Sequence, residues 1–320
     1  MPMSRTPYWR VYVEGEDVTQ EVSRRLTQIR IEERATEVSD ALTLELADDG
    51  KLPMPTEGAS ITVELGYEDG KKRDPSDFEV DQVAHEAPPP RITFSATAAP
   101  FTTSAREPRE RSHDDTTLGE LLEKIAGEHG YEAVIHPPEL GETRLWHVDQ
   151  GGESDLALLH ELAQKFGAQF RPAENSKWVI FGPSDMPEPA AVIEPHHVTE
   201  WRAQRKTREV LGSVRARYQA IDLARRIPVT AGDGEPTKLL DRVFVDEPTA
   251  KAHAEGRLAN ARREARELRL EMPGRPDLTV LSVIEVNGLG PEVDGLWRIR
   301  EHVHQLNSSG YRSTIECEGV

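Results

Sequence analysis

His302 and His304 are the residues that first invite chemistry. They stand two apart in a stretch that reads as a strand, so their side chains share one face. His196-His197 and His113 are the other histidines that could serve as ligands beside them. A metal centre needs three or four ligands, oriented by a surrounding shell of hydrogen bonds. Nothing in the spacing brings these residues together, so surface or interface histidines are expected and no metal. Cys317 is the only cysteine, which excludes an intrachain disulfide and a cysteine-based zinc site. In a terminal strand it reads as a small buried apolar residue. With 57 Asp and Glu, a carboxylate pair suited to glycoside hydrolysis would carry no information. Asp114-Asp115 precedes a helix start, where negative charge is favourable, and capping accounts for it. The chain has no Gly-x-Ser-x-Gly elbow, no phosphate-binding Gly-x-x-x-x-Gly-Lys and no His-Glu-x-x-His. Asp233-Gly234 and Gly288-Leu-Gly290 read as turns. The arginines from Arg257 to Arg269 have Glu255, Glu264 and Glu267 among or beside them. Helix-spaced ion pairs on a solvated or partner-facing helix explain that run better than nucleic acid does. On this reading no residue is assigned as catalytic, cofactor-binding or metal-ligating, and no cofactor is expected.

The elements that would have to position any site are read from the totals and then from the pattern. The chain has 320 residues, enough for about two domains. Hydrophobic residues are 37% and charged residues 30%, the balance of a globular protein with modest cores and a polar surface. No apolar run approaches the roughly 20 residues of a membrane helix. Met1-Pro-Met-Ser-Arg-Thr-Pro has no apolar core, so Sec export is not expected. A net charge of -18 argues against nucleic-acid binding by the general surface.

From Tyr8 to Thr97 the chain reads as strands and turns. Trp9, Val11 and Val13 alternate with polar residues; so do Leu42, Leu44 and Leu46, and Ile61, Val63 and Leu65. Leu26, Ile29 and Ile31 alternate imperfectly. Phe78, Val80 and Gln82 begin a strand, Pro88-Pro-Pro interrupts, and Ile92 and Phe94 resume. This spacing predicts an antiparallel sandwich or barrel. Arg109 to Phe181 is the compact helical block. Thr117 and Glu120 have capping-box spacing, and Leu118, Leu121, Leu122, Ile125 and Ala126 make one apolar face that ends near Gly130. A second helix is predicted from Ser154-Asp155 to Gly167, burying Leu158, Leu159, Leu162, Ala163 and Phe166. Strands are expected at 131–135, 168–171 and 178–181, the last two across the turn Glu174-Asn-Ser. The run Gly182-Pro-Ser-Asp-Met-Pro-Glu-Pro is a stiff connection. Strands then resume at 198–201, 210–218 and 242–245. A helix starts at Asp246-Glu-Pro, with a stripe of Ala250, Ala254, Leu258, Ala261 and Ala265. Leu268 and Leu270 come next, then a turn at Met272 to Leu278. Val283, Ile284 and Val286 form a further strand, and 297–303 with 311–317 form a closing hairpin around Asn307-Ser-Ser-Gly310.

An ordered set of short runs resembles the phage late control protein D family, the baseplate hub proteins of contractile tails. The central set is Arg109-Glu-Arg-Ser, Asp115-Thr-Thr-Leu-Gly-Glu, Ile125-Ala, Asp149-Gln, Glu153-Ser-Asp, Leu159, Leu162-Ala and Phe166-Gly-Ala. Before it stand Val13-Glu-Gly-Glu-Asp-Val-Thr, Leu42-Thr-Leu-Glu-Leu-Ala-Asp and Phe78-Glu-Val-Asp-Gln-Val. After it come Gly274-Arg-Pro-Asp-Leu and Gly295-Leu-Trp-Arg-Ile. The resemblance spans nearly the whole chain, although His113 stands where family members often have an aromatic residue.

The resemblance implies a mixed α+β, β-rich fold with two tail-tube-like antiparallel β-barrels. The first would span residues 1–104. A small α+β domain over 105–183 would be inserted between them, and the second would span 184–320 with a helix inserted at about 247–267. It implies a structural role without enzymatic activity. Three copies would form a pseudo-six-fold ring joining a hexameric tail tube to a trimeric spike, around a channel for DNA or the tape measure protein. Implied partners are further copies of the chain, the tube and spike proteins, other baseplate proteins, the tape measure protein and DNA passing without specific binding. No membrane insertion is implied, and the location is the virion tail baseplate, assembled in the bacterial host cytoplasm. Carboxylates lining the channel would repel DNA phosphates over about 8 Å at physiological salt. The alternative is a peptidoglycan-degrading glycoside hydrolase acting in cell-wall penetration. A hub from a phage-derived bacteriocin or other injection device would read the same way.

Overall fold

In a computed structural model, strands dominate. The structure describes residues 5–35, 40–51, 58–73, 75–98, 105, 107–173, 177–182, 188–206, 211–220 and 223–320. The first part contains β1 (Pro7–Val13), β2 (Glu16–Asp17), α1 (Thr19–Ser23), β3 (Leu26–Arg34), β4 (Ala41–Ala47), β5 (Ser60–Tyr67), β6 (Ser76–Glu86) and β7 (Arg91–Ala98). The alternation of Leu42, Leu44 and Leu46 is realised directly: all three are buried in one core with Ile61, Val63, Leu65, Phe78, Ile92 and Phe94. Each such side chain contributes about 1.5–3 kcal/mol by leaving water. The broken alternation at Leu26, Ile29 and Ile31 has a local cause. The pairing of β3 with β4 slips between Leu26 and Gln28, a bulge that restores Ile29 and Ile31 to the core face.

The middle part contains β8 (Arg109–Thr117), α2 (Leu118–Glu128), β9 (Glu132–His136), α3 (Pro138–Gly141), β10 (Arg144–Glu153), α4 (Asp155–Lys165), β11 (Gln169–Ala173) and β12 (Lys177–Phe181). Both predicted helices form where their caps place them. Thr117 and Glu120 make the reciprocal capping box of α2, and the Ser154 hydroxyl accepts from the Ala157 N–H at the start of α4. Gly130 and Gly167 follow the two helices at φ +80° and +70°, the left-handed conformation glycine favours. The block is less helical than the sequence suggests, because β8 and β10 pair as a two-stranded antiparallel ribbon. These strands are mostly polar and expose most of their length, so they carry no apolar alternation. The turn at Glu174-Asn-Ser lies outside the described residues, as do 183–187 of the proline-rich connection.

The last part contains β13 (Ala191–Ile193), β14 (Glu200–Arg205), β15 (Ser213–Ala220), β16 (Arg225–Gly232), β17 (Thr237–Phe244), α5 (Glu247–Glu264), β18 (Arg266–Pro273), β19 (Val283–Val286), β20 (Gly295–Asn307) and β21 (Gly310–Gly319). The start of the strand expected at 210–218 lies outside the described residues. β16 has no counterpart in the sequence reading; it carries Pro228 and sits at the edge of its sheet, where proline is tolerated. The alanine stripe of α5 packs Ala250, Ala254 and Leu258 onto Val214, Ala216 and Ala231, so the long helix covers a three-stranded sheet of its own, β16-β15-β17.

The main sheet has 13 strands. Its order runs β14-β18-β21-β20-β3-β4-β7-β6-β5-β1-β2, with β13 and β19 attached beside β20. The two strand-rich parts of the chain are therefore one hydrogen-bonded sheet, and β20 is the joint. Along one edge it pairs with β21; along the other it pairs first with β19 and then, past a bulge at Ile299/Glu301 in its β21 pairing, with β3.

Candidate functional site

The joint holds a cluster of buried charge. On β3, Ile29, Ile31 and Glu33 all point inward by period-two alternation, so a carboxylate occupies a core position. His302 lies directly opposite it across the β20–β3 pairing, and His304 is two residues on along the same face. Both histidines are fully buried, not at a surface or interface, because β20 is covered on both edges and on this face. The Arg73 Nε donates to Glu33 Oε1 at 2.5 Å, and its Nη1 donates to the Ser76 hydroxyl at 2.8 Å. His304 Nε2 lies 3.5 Å from the same Glu33 oxygen. Its Nδ1 is 2.7 Å from the Tyr311 hydroxyl.

His302 is held neutral. Its Nδ1 is 3.1 Å from the Leu278 carbonyl, which can only accept, so Nδ1 carries the proton. Nε2 then accepts from the Ser313 hydroxyl at 2.8 Å. Burial, helped by the neighbouring His304, pushes the imidazole well below its ordinary value. For Glu33, burial alone would raise the carboxyl, but Arg73, and after it His304, outweigh it and hold the group well below the usual carboxylate range. Burial keeps the Tyr311 phenol protonated and able to donate to His304. The run Gly274 to Leu278 wraps this cluster. A side chain at Gly274 would run into the Tyr311 ring. The Arg275 N–H donates to Ser313 Oγ at 2.8 Å, and Asp277 holds the Arg275 guanidinium with two bonds of 2.9 Å.

A second buried cluster closes the middle block. Asp155, at the start of α4, is completely buried. Its Oδ1 accepts from Arg111 Nη2 at 2.6 Å and from Gln150 Nε2 at 2.8 Å, while Oδ2 is 2.8 Å from His129 Nε2. Arg109 adds a contact at 3.4 Å. Burial would raise this carboxyl, yet the bonds from Gln150 and His129 and the two arginines bring it below its ordinary value. Arg111 and Gln150 face each other across the β8–β10 register, so the polar ribbon is pinned to both helices through one carboxylate. The signal was present as Arg109-Glu-Arg, Asp149-Gln and Glu153-Ser-Asp, but spacing could not show that the three runs meet.

The remaining candidates fall apart. Among the described residues, two groups of three potential ligands come within 4.8 Å: Glu33, His302 and His304, and Glu194, His196 and His197. In the first, Arg73 already neutralises the carboxylate and both nitrogens of His302 are engaged, which fits a hydrogen-bonded core better than a cation. The second is a solvent-facing turn in which His197 Nδ1 accepts from the Glu194 N–H. His113 is buried on β8, 3.4 Å from the Lys124 amine, and joins neither group. Asp114 and Asp115 do not cap α2; Thr117 does. They sit on β8, where Asp115 pairs with Arg144 and Asp114 with His147 across the ribbon. Cys317 is buried, and burial with the adjacent carboxylates of Glu318 and Glu316 raises its thiol, leaving it inert. The arginine run is not uniformly solvated. Arg257 and Glu264 are 3.8 Å apart, but Arg263 is buried and donates to the Gly167 carbonyl at 2.6 Å. It helps fasten α5 to the end of α4, where Gly256 and Gly167 touch backbone to backbone.

These two clusters bind parts of the chain to each other. No family model matches the chain. Two curated relatives do, the probable baseplate hub proteins of Escherichia phages 186 and P2, each 25% identical over 98% of this chain and 93% of theirs. The chain is similar to phage baseplate hub proteins along nearly its whole length. The resemblance carried by the scattered sequence runs is to this same class. Solved structures agree at the level of fold. The 43 kDa tail protein of prophage MuSo2 from Shewanella oneidensis has a TM-score of 0.71 at 15% identity, covering 98% of both chains. The tail protein from Neisseria meningitidis MC58 scores 0.74 at 13% identity over 98% of this chain and 97% of that one. An Escherichia coli component of the type VI secretion system, described as similar to T4 bacteriophage tail proteins, scores 0.60 at 13% identity, over 92% of this chain and 73% of that one.

Proposed function

We propose that this chain is a structural baseplate hub of a contractile tail or phage-like injection device. The observation that carries the reading is the correspondence with hub proteins over 98% of the chain. The architecture suits the task. An adaptor that transmits contraction must be stiff, and here the first and last parts share one sheet while buried ion clusters tie the joint and the inserted block. On this reading the strand-rich parts, residues 1–104 and 184–320, act as two tail-tube-like barrels flanking the block at 105–183. Three copies close into a pseudo-six-fold ring that meets the hexameric tube on one side and the trimeric spike on the other. The net charge of -18 suits a channel wall that DNA slides past without adhering. The assembled site is the tail baseplate, and the work is adaptor and conduit, not catalysis.

Mass measurement of the purified chain, alone and with the spike protein of the same device, tests this. A trimer is expected, at the latest once the spike is added. A strict monomer under both conditions would overturn the ring.

A further inference from the structure

The small sheet β16-β15-β17 has one face covered by α5 and one face open. Val214, Ala216 and Ala231 take the covered side, so the alternate residues take the other. The register then fixes what the open face carries. Arg215 lies beside Thr230 and Leu239, Arg217 beside Pro228 and Val243, and Gln219 beside Arg226. Arg215 and Arg217 stand about 7 Å apart along one strand, and Arg226 extends the row on the neighbouring one. No carboxylate occupies any of these paired positions; the bulge between Leu239 and Val243 adds one exposed carboxylate, Asp241, which is not within ion-pair distance of these arginines. Among the described residues, none of the three arginines forms an ion pair, and the Arg217 Nε is shielded from solvent with no acceptor. Leu239, on the edge strand β17 beside Arg215, is 46% exposed.

In a chain of net charge -18, three cations without ion-pair partners are gathered on one small sheet face. Many arginines elsewhere on this surface are paired, as Arg109 and Arg111 are with Glu128 and Arg269 is with Glu271. We infer that the open face of β16-β15-β17 is a docking surface for an acidic protein segment that also carries apolar side chains. Three observations favour protein over nucleic acid. No aromatic ring stands in these positions to stack a base. Leu239, Val243 and Pro228 lie directly beside the cations on the flanking strands, where a phosphate backbone would offer them nothing. Arginine set among apolar groups is the composition of protein interface centres. The face lies outside both buried clusters, and the inference does not depend on the hub reading.

The test uses the full chain and a short fluorescein-labelled peptide alternating glutamate with leucine, followed by fluorescence anisotropy, with labelled oligothymidylate in parallel. The peptide should bind. Its affinity should fall about tenfold or more in Arg215→Glu/Arg217→Glu, where both cations are reversed, and also on raising salt from about 50 to about 200 mM. The neutral variant Arg215→Gln/Arg217→Gln should lie between, and it guards against misfolding of the reversed one. Arg262→Glu/Arg312→Glu, the same charge change on other surfaces, should bind as the parent does. Absence of peptide binding would overturn the inference, as would equal loss in the control variant or preference for the oligonucleotide. Sedimentation adds one more arm: self-association of the parent abolished by Arg215→Glu/Arg217→Glu would assign the face to a second copy and overturn a separate partner.

Discussion

Replacing Arg73 with methionine measures how far the joint between the two strand-rich parts rests on the Glu33 ion pair. The side chains of Arg73 and Glu33 are 4% and 3% exposed and 2.5 Å apart. Methionine keeps much of the volume and removes the charge. Glu33 is then buried with only the imidazoles of His304 and His302 near it, and it can relieve the penalty by taking up a proton. At pH 7 that uptake costs about 1.4 kcal/mol for each pH unit above an unfolded carboxyl value near 4.3, which caps this part of the loss at about 4 kcal/mol. Breaking a buried pair usually costs about 3–5 kcal/mol, in agreement. The same reasoning makes the loss depend on pH: near pH 5 the cap is about 1 kcal/mol. Urea unfolding followed by tryptophan fluorescence at both pH values gives the two numbers. Arg73→Met should lose about 3–4 kcal/mol near pH 7 and about 1 near pH 5. Adding Glu33→Gln should recover most of the loss, since a neutral amide needs no counter-ion. A loss below about 1 kcal/mol at neutral pH, or the same loss at both values, would refute the account of an ion pair holding the joint.

Two further outcomes follow from the same geometry. Because burial and His304 hold His302 below its ordinary value of 6.5, its contribution to stability is present above that value and is lost as pH falls beneath it. Glu33, also held low, adds a second loss below its own unfolded value, about 4.3. Melting temperature followed from mildly alkaline to acidic pH should be level and then fall, and His302→Gln should flatten the first part of that fall; an unchanged acid limb would count against a neutral buried His302. Gly256→Ala should cost about 1–3 kcal/mol in urea unfolding, because its Cβ would stand 2.5 Å from the Gly167 backbone nitrogen and force α5 away from α4. Gly127→Ala, on α2 with nothing within 4 Å, is the comparison and should stabilise by up to about 1 kcal/mol; equal behaviour of the two variants would remove the close approach as the reason for Gly256.

Much of the fold was legible because its signals are local. The leucines of β4 alternate whatever surrounds them, the Thr117–Glu120 capping box depends only on four consecutive residues, and the alanine stripe of α5 marks a close-packed helix. Glu33 was legible in principle too, as a charge on the inward side of a strand that also holds Ile29 and Ile31, although no sequence rule names its partner. The ribbon of β8 and β10 escaped notice because its pairing is set by cross-strand polar contacts, such as Arg111 with Gln150, which leave no apolar period. β16 escaped because Pro228 reads as a breaker until the strand is seen to be an edge.

By itself the amino-acid order determined the strand-rich character, the three longest helices with their caps, and a likeness to hub proteins borne by scattered short runs. Only the tertiary structure decided what those runs are for. Asp155 meets Arg111, Gln150 and His129 across separations of 44, 5 and 26 residues. Glu33, Arg73 and His304 come from three distant strands and loops. The physical reason is that a buried charge is tolerable only when its counter-ion and hydrogen bonds arrive in the same place, and that condition is met by sheet register and helix packing. His302 and His304, which the sequence offered as possible ligands, are by that register the core of the joint.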